Sequence, residues 1–144
     1  MERTFGFLNE SFKGYYAKSG LPPPVGFQQR EFGFMYHGET FFRRHLGFPS
    51  PDHLKVDILR KPPAHIYHSS AYYDHPSAHT MAEKGWLGAD LIFDLDADHL
   101  EGADKMSYAE MLAAVKVKFR TLVDTFLVGE FGWLCAFASN TGST

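Results

Sequence analysis

The chain has 144 residues, 44% of them hydrophobic and 22% charged, a length that makes one domain around one core. Its 14 Phe, 7 Tyr and 2 Trp carry too much apolar surface for a solvated coil, yet no run of about 18 apolar residues offers a membrane span. With 14 Lys+Arg against 17 Asp+Glu the formal charge is −3, so bulk charge draws no nucleic acid, and any such contact needs a local site or a partner.

Met1-Glu2-Arg3-Thr4 lacks the layout of a signal peptide. The single cysteine, Cys135, excludes a disulfide framework and fits a reducing, cytoplasmic compartment. Asn9 through Lys18 reads as a first helix, capped by Asn9, with Phe12, Tyr15 and Tyr16 on one face and Gly20 as its stop. Pro22-Pro23-Pro24 is a stiff extended connector. Residues 29–48 read as a β-hairpin turning at His37-Gly38, where glycine supplies the positive φ of a two-residue loop. That loop sets Tyr36 opposite Glu39, Phe34 opposite Phe41 and Glu31 opposite Arg44. Phe32, Phe34, Tyr36 and Phe41 then line one face, with Glu31, Thr40, Phe42 and Arg44 on the other. By itself the Glu31–Arg44 pair reads as a cross-strand surface salt bridge.

Beyond Pro62-Pro63, Ile66 to Tyr73 reads as a strand, and residues 74–88 as a loop with a helical turn near Met81. Ala89 to Asp98 alternates cleanly, with Asp90, Ile92, Asp94 and Asp96 on one strand face. Ser107 and Glu110 have capping-box spacing, and apolar residues then recur at helical spacing to about residue 128. Trp133 to Ala138 reads as a strand that would complete a β-α-β unit, after which the sequence stops as though cut.

Asp94 and Asp96 are the chemical centre. On one strand their Cα atoms lie about 6.5–7 Å apart with both carboxylates projecting the same way. Such a pair repels unless a cation lies between, and hard divalent ions such as Mg²⁺ prefer those oxygens. The same pattern also fits a solvated strand end, an aspartate-based phosphatase or a metal-dependent glycosyltransferase. Closely spaced histidines make a poor metal site here, because His65 and His68 point to opposite strand faces and His75 and His79 flank Pro76. Cys135, in an apolar stretch, reads as core.

Four segments appear in order: Arg30-Glu31-Phe32-Gly33-Phe34; Arg44 with Phe48; Tyr67-His68-Ser69-Ser70-Ala71-Tyr72-Tyr73; and Lys84-Gly85-Trp86-Leu87-Gly88-Ala89-Asp90-Leu91-Ile92-Phe93-Asp94-Leu95-Asp96-Ala97-Asp98. Together they closely resemble the N-terminal part of the archaeal DNA primase catalytic (small) subunit, in the archaeo-eukaryotic primase superfamily. The resemblance runs from about Phe12 to Gly132. It implies a mixed α/β primase-type fold, with the hairpin and the Asp-x-Asp strand in a sheet backed by the long helix. Residues 1–144 would form one incomplete, C-terminally truncated catalytic domain.

By the same resemblance Asp94 and Asp96 match the metal-binding catalytic aspartates, holding Mg²⁺ or Mn²⁺. Glu31 and Arg44 match residues at the nucleotide site, and Phe42 stands where eukaryotic relatives have tyrosine. The implied activity is that of a DNA-directed RNA polymerase making short primers by two-metal nucleotidyl transfer. The implied partners are a primase large subunit, single-stranded DNA template and nucleoside triphosphates, with no membrane. The family's later Ser-Gly-x-Arg-Gly-x-His motif and third aspartate have no match, and the absence of cysteine between Asp98 and Ser107 leaves no zinc knuckle. Three alternatives stand beside that reading: a fragment without polymerase activity, a metal-dependent phosphatase, and a non-catalytic replication-binding module.

Overall fold

A computed structural model describes residues 2–20 and 22–133, which divide after Ile92 into two units. Helix α1 covers Glu2–Lys18, starting seven residues before the expected cap, so Asn9 is interior to it. Packing onto His37 accompanies the extra turns. Phe5 stacks on His37 at 6.3 Å and Phe12 meets the same ring edge-on at 5.2 Å. Gly38 (φ 78°) lies against Phe5, where a Cβ would sit 3.0 Å from the phenyl ring.

Strands β1 (Phe32–Met35) and β2 (Arg43–Leu46) form the expected antiparallel pair, but not in the expected register. The His37-Gly38 turn forms, with the Glu39 N–H donating to the Tyr36 carbonyl at 3.1 Å. Its flanks do not pair, because Tyr36 is buried under two cations and Glu39 is ion-paired to Lys61. The guanidinium of Arg43 stands 5.2 Å from the Tyr36 ring centre and the Lys61 ammonium 4.1 Å. Pairing therefore begins farther from the turn, with Phe34 opposite Arg43 and Phe32 opposite Leu46. Between them Arg44 and His45 face the single residue Gly33, a bulge whose second member, His45, takes φ 60°. Phe41, expected beside Phe34 on the buried face, is instead 56% exposed.

The expected 66–73 strand is two strands. Strand β3 (His65–His68) pairs antiparallel to β1, giving the order β2-β1-β3, whereas β4 (Ala71–Tyr73) pairs with β5 (Trp86–Ala89) in a second sheet. The break falls at Ser69-Ser70, whose carbonyls turn toward Arg30.

Helix α2 (Pro51–Arg60) has proline in its first turn, Asp52 near its N-terminus and Arg60 at its C-terminus, a charge order that suits the helix dipole. It supplies Leu54 and Ile58 to a core with Phe27, Phe32, Phe34, Tyr36 and Phe48, against which Tyr16 of α1 also packs. The three-stranded sheet thus has a helical, apolar side and an opposite side free to carry polar groups. Helix α3 (Met81–Lys84) occupies the expected turn near Met81, closed by a Thr80–Glu83 capping box.

In the second unit the Ser107–Glu110 capping box forms in both directions and starts α4 (Tyr108–Arg120). The helix continues in wider π turns through Glu130. Met111, Leu112, Val115, Phe119, Leu122 and Val123 form its half-buried stripe. The expected strand over Trp133–Ala138 lies, beyond Trp133, outside the described residues, as does Cys135.

Candidate nucleotide and metal site

Arg30 and Glu31 face different surroundings because they adjoin on an extended chain, and both are buried. Arg30 is 2% exposed and all five of its N–H groups find acceptors. Nε donates to the Val25 carbonyl at 2.9 Å, and Nη1 to the carbonyls of Ser69 and Ser70 at 2.7 and 3.0 Å. Nη2 donates to the Tyr72 hydroxyl at 2.7 Å and to Asp90 Oδ2 at 2.6 Å. The guanidinium also lies 4.1 Å from the Tyr72 ring centre. Gly26 (φ 65°) makes room for that ring, since a Cβ there would come within 2.4 Å of it. Hydrogen bonds from Tyr72 and then Arg30 hold the Asp90 carboxyl below its ordinary pKa, and the Asp90 bond raises the Tyr72 phenol.

Glu31 is 7% exposed and faces three donors. Its Oε1 accepts from the His45 backbone N–H at 3.0 Å and from Arg44 Nε at 3.3 Å, while Oε2 lies 3.0 Å from Lys84 Nζ. The bulge makes this possible: the left-handed turn at His45 aims its N–H at Glu31 while Arg44 still reaches the same oxygen. Glu31 and Arg44 therefore meet as the simple hairpin register anticipates, but through a different register. Lys84, 2% exposed, also donates to the Pro76 carbonyl at 2.6 Å and stands 5.1 Å from the Tyr73 ring centre. Burial pushes the Glu31 carboxyl up, but the His45 N–H, the Lys84 hydrogen bond and the charges of Lys84 and Arg44 outweigh it. The net effect holds the carboxyl below its ordinary value.

Arg44 is 58% exposed and borders a recess of about 150 Å³ that Glu31, Gly33, Phe42, Tyr67 and His68 also line. Gly33 is required here: a Cβ on it would fall 2.1 Å from the Phe42 ring, which stands edge-on to Tyr67 at 5.3 Å. The recess is smaller than the roughly 300–1,000 Å³ of a whole small-molecule pocket. It suits one anionic or sugar portion of a larger ligand.

The acidic segment is built differently. Strand β5 ends at Ala89, and the strand expected over Ala89–Asp98 does not form. The physical reason is the lack of a neighbour. The last rung is the Asp90 N–H to the Ser70 carbonyl at 2.9 Å, and there the chain preceding β4 turns away toward β3. Asp90 thus does not share a strand face with Asp94 and Asp96; it is committed to Arg30. Asp94 and Asp96 are exposed on irregular chain in the second unit, just before a turn at Asp98-His99. Among the described residues, one group of three potential metal ligands lies within 4.8 Å: Asp96, Asp98 and His99, all exposed. Asp94 is not in it. The donors fit a hard divalent cation, since two carboxylates and an imidazole in open solvent leave positions for water and phosphate oxygens.

Four participants escape the sequence motifs read singly: Lys84, Asp90, Tyr72 and His99. The first three carried a usable signal, because each stands inside a family-like block at a position where a buried charge or phenol demands a partner.

No family model matches the chain. The DNA primase small subunit PriS of Methanocella arvoryzae is 52% identical over 135 residues, which is 92% of this chain and 34% of that protein. PriS of Methanothrix thermoacetophila is 44% identical over 91% of the chain and 34% of its own length. PriS of Thermoplasma volcanium is 44% identical over 84% of the chain and 36% of its length. The chain spans about a third of the length of the curated relatives it matches. None of its described helices is long and apolar enough to cross a membrane.

Proposed function

We propose, for a chain that belongs by sequence with the archaeal DNA primase small subunits and spans about a third of their length, that it contributes the nucleotide- and metal-binding part of a primer-synthesising catalytic centre. The reaction is two-metal nucleotidyl transfer that builds short RNA primers on single-stranded DNA from nucleoside triphosphates, in the cytoplasm and with a large subunit as partner. Carrying this reading is the exposed Arg44 guanidinium at the mouth of the recess, fixed from behind by a buried carboxylate. That arrangement offers a positioned cation to a phosphate group.

Asp94 and Asp96 are the proposed metal ligands, with Asp98 and His99 available beside Asp96. A bound Mg²⁺ or Mn²⁺ supplies charge stabilisation of the attacking and leaving oxygens. The chain's own work is to hold phosphate at Arg44 and to present carboxylate oxygens at the acidic segment. For these residues taken alone the proposal is binding without turnover. The observation favouring that restriction is the acidic segment itself, which has no strand partner among the described residues.

Calorimetric titration with Mn²⁺, with and without nucleoside triphosphate, tests the proposal on the wild type and on Asp94→Ala/Asp96→Ala. Expected is metal binding that triphosphate tightens and the double variant loses. A wild type that binds neither metal nor triphosphate overturns it.

A further inference from the structure

Among the described residues two cations are fully buried, Arg30 and Lys84, and Lys84 is the one that adjoins the carboxylate holding Arg44. It cannot touch a ligand in the recess, since it is 2% exposed and its ammonium is taken up by Glu31 and the Pro76 carbonyl. Burying an ammonium costs several kcal/mol unless a counterion answers it. Yet Glu31 already has a cationic neighbour in Arg44 and a backbone donor in His45. The cluster holds two cations around one carboxylate and so carries a surplus of one positive charge. The geometry says where that surplus lies. Lys84 approaches Glu31 more closely than Arg44 does, 3.0 against 3.3 Å, and only Arg44 reaches solvent. Among the described residues, the two terminal nitrogens of Arg44 make no hydrogen bond to the protein, and the side chain borders the recess.

We propose that Lys84 is a positioning residue for phosphate binding: by neutralising Glu31 from behind, it leaves the charge of Arg44 available to an anionic ligand. Glu31 in turn orients Arg44 and makes no contact with the ligand itself. This rests on the reading of the recess as a nucleotide-phosphate site.

The arithmetic of charge gives the test. Removing Lys84 makes the cluster neutral, and Glu31 then captures Arg44. Removing Lys84 and Glu31 together restores one net positive charge at Arg44. A lysine that acts by packing alone has the opposite signature, because neutralising Glu31 does not replace the packing lost at Lys84.

Inorganic tripolyphosphate, titrated calorimetrically in metal-free buffer with chelator, probes Arg44 without involving the acidic segment. Lys84→Met is expected to weaken binding about tenfold, the effect of one partly screened unit charge near the ligand. Lys84→Arg keeps wild-type affinity, and Glu31→Gln/Lys84→Met recovers most of what Lys84→Met loses. Where Lys84→Met does not fold, the double variant decides, because an uncharged pair replaces a charged one. A folded double variant as weak as Lys84→Met, or as weak as Arg44→Ala, overturns the proposal, as does unchanged binding in folded Lys84→Met. A wild type that does not bind tripolyphosphate overturns the nucleotide-site reading and this proposal with it.

Discussion

The Arg30–Glu31 region of the first unit and the Asp94–Asp98 segment of the second are both rich in charge, and the protein treats them in opposite ways. In the first, two adjacent charged residues are buried, and every N–H of Arg30 and both oxygens of Glu31 have partners. In the second, three carboxylates within five residues stand in solvent on chain that belongs to no sheet. The first arrangement is therefore preorganised by folding, at the cost of a buried ion cluster. The second keeps its repulsion in water, where a bound cation can relieve it.

The sharpest way to break the comparison is Arg30→Met. It leaves the Val25 carbonyl without its donor, takes the Arg30 bonds from the carbonyls of Ser69 and Ser70, and detaches β4–β5 from the Asp90 anchor. A loss of about 3–5 kcal/mol is expected, read as a lowered urea midpoint. A loss below about 1 kcal/mol would show that the network is only a surface arrangement.

Next in size is Lys84→Met, which leaves Glu31 buried with one cation removed. A cost of about 3 kcal/mol is expected, with Glu31→Gln/Lys84→Met returning to within about 1 kcal/mol of the wild type.

The ionisation of Glu31 sharpens the contrast through pH. Its folded pKa lies below the ordinary value of 4.5, so the folded state favours the charged form. The stability this gives is complete above that value and is lost as pH falls through the lower, folded pKa. The stability gap between the wild type and Glu31→Gln is thus expected to be constant at neutral pH and to close progressively below 4.5. Urea melts of both proteins across that range check it. A gap independent of pH would mean that the carboxylate is not held charged by its neighbours.

How much of this was legible beforehand differs between the same two regions. The Ser107–Glu110 cap, the His37-Gly38 turn and the helical turn at Met81 follow from local chemistry and appear as read. The Glu31–Arg44 contact also appears, though not as the expected rung: two extra loop residues and the bulge set Arg44 opposite Gly33, and its side chain reaches Glu31 from there. A bulge is invisible in alternation because its left-handed residue is histidine rather than glycine. Helix α2 escaped notice because Pro49 and Pro51 read as connectors, although proline suits a first helical turn. The acidic strand failed for a non-local reason. Alternation establishes which residues share a face if a strand exists, but a strand also needs a neighbour, and no pattern within residues 89–98 supplies one.

The smallest effect on stability is expected where the largest effect on binding lies. Asp94→Asn/Asp96→Asn removes two charges that make no hydrogen bond to the rest of the protein among the described residues. It also relieves their repulsion with Asp98. The urea midpoint in metal-free buffer is therefore expected to stay level or rise slightly. Added Mn²⁺ should separate the two proteins, because a ligand that binds only the folded state raises its stability as free ligand exceeds the dissociation constant. The wild type then melts at higher temperature with each increment of Mn²⁺, and the variant does not. Equal shifts in both proteins would place the ion on Asp98 and His99 without Asp94 and Asp96. A lowered midpoint in the variant without metal would show that these carboxylates do structural work, and the two regions would then not differ as described.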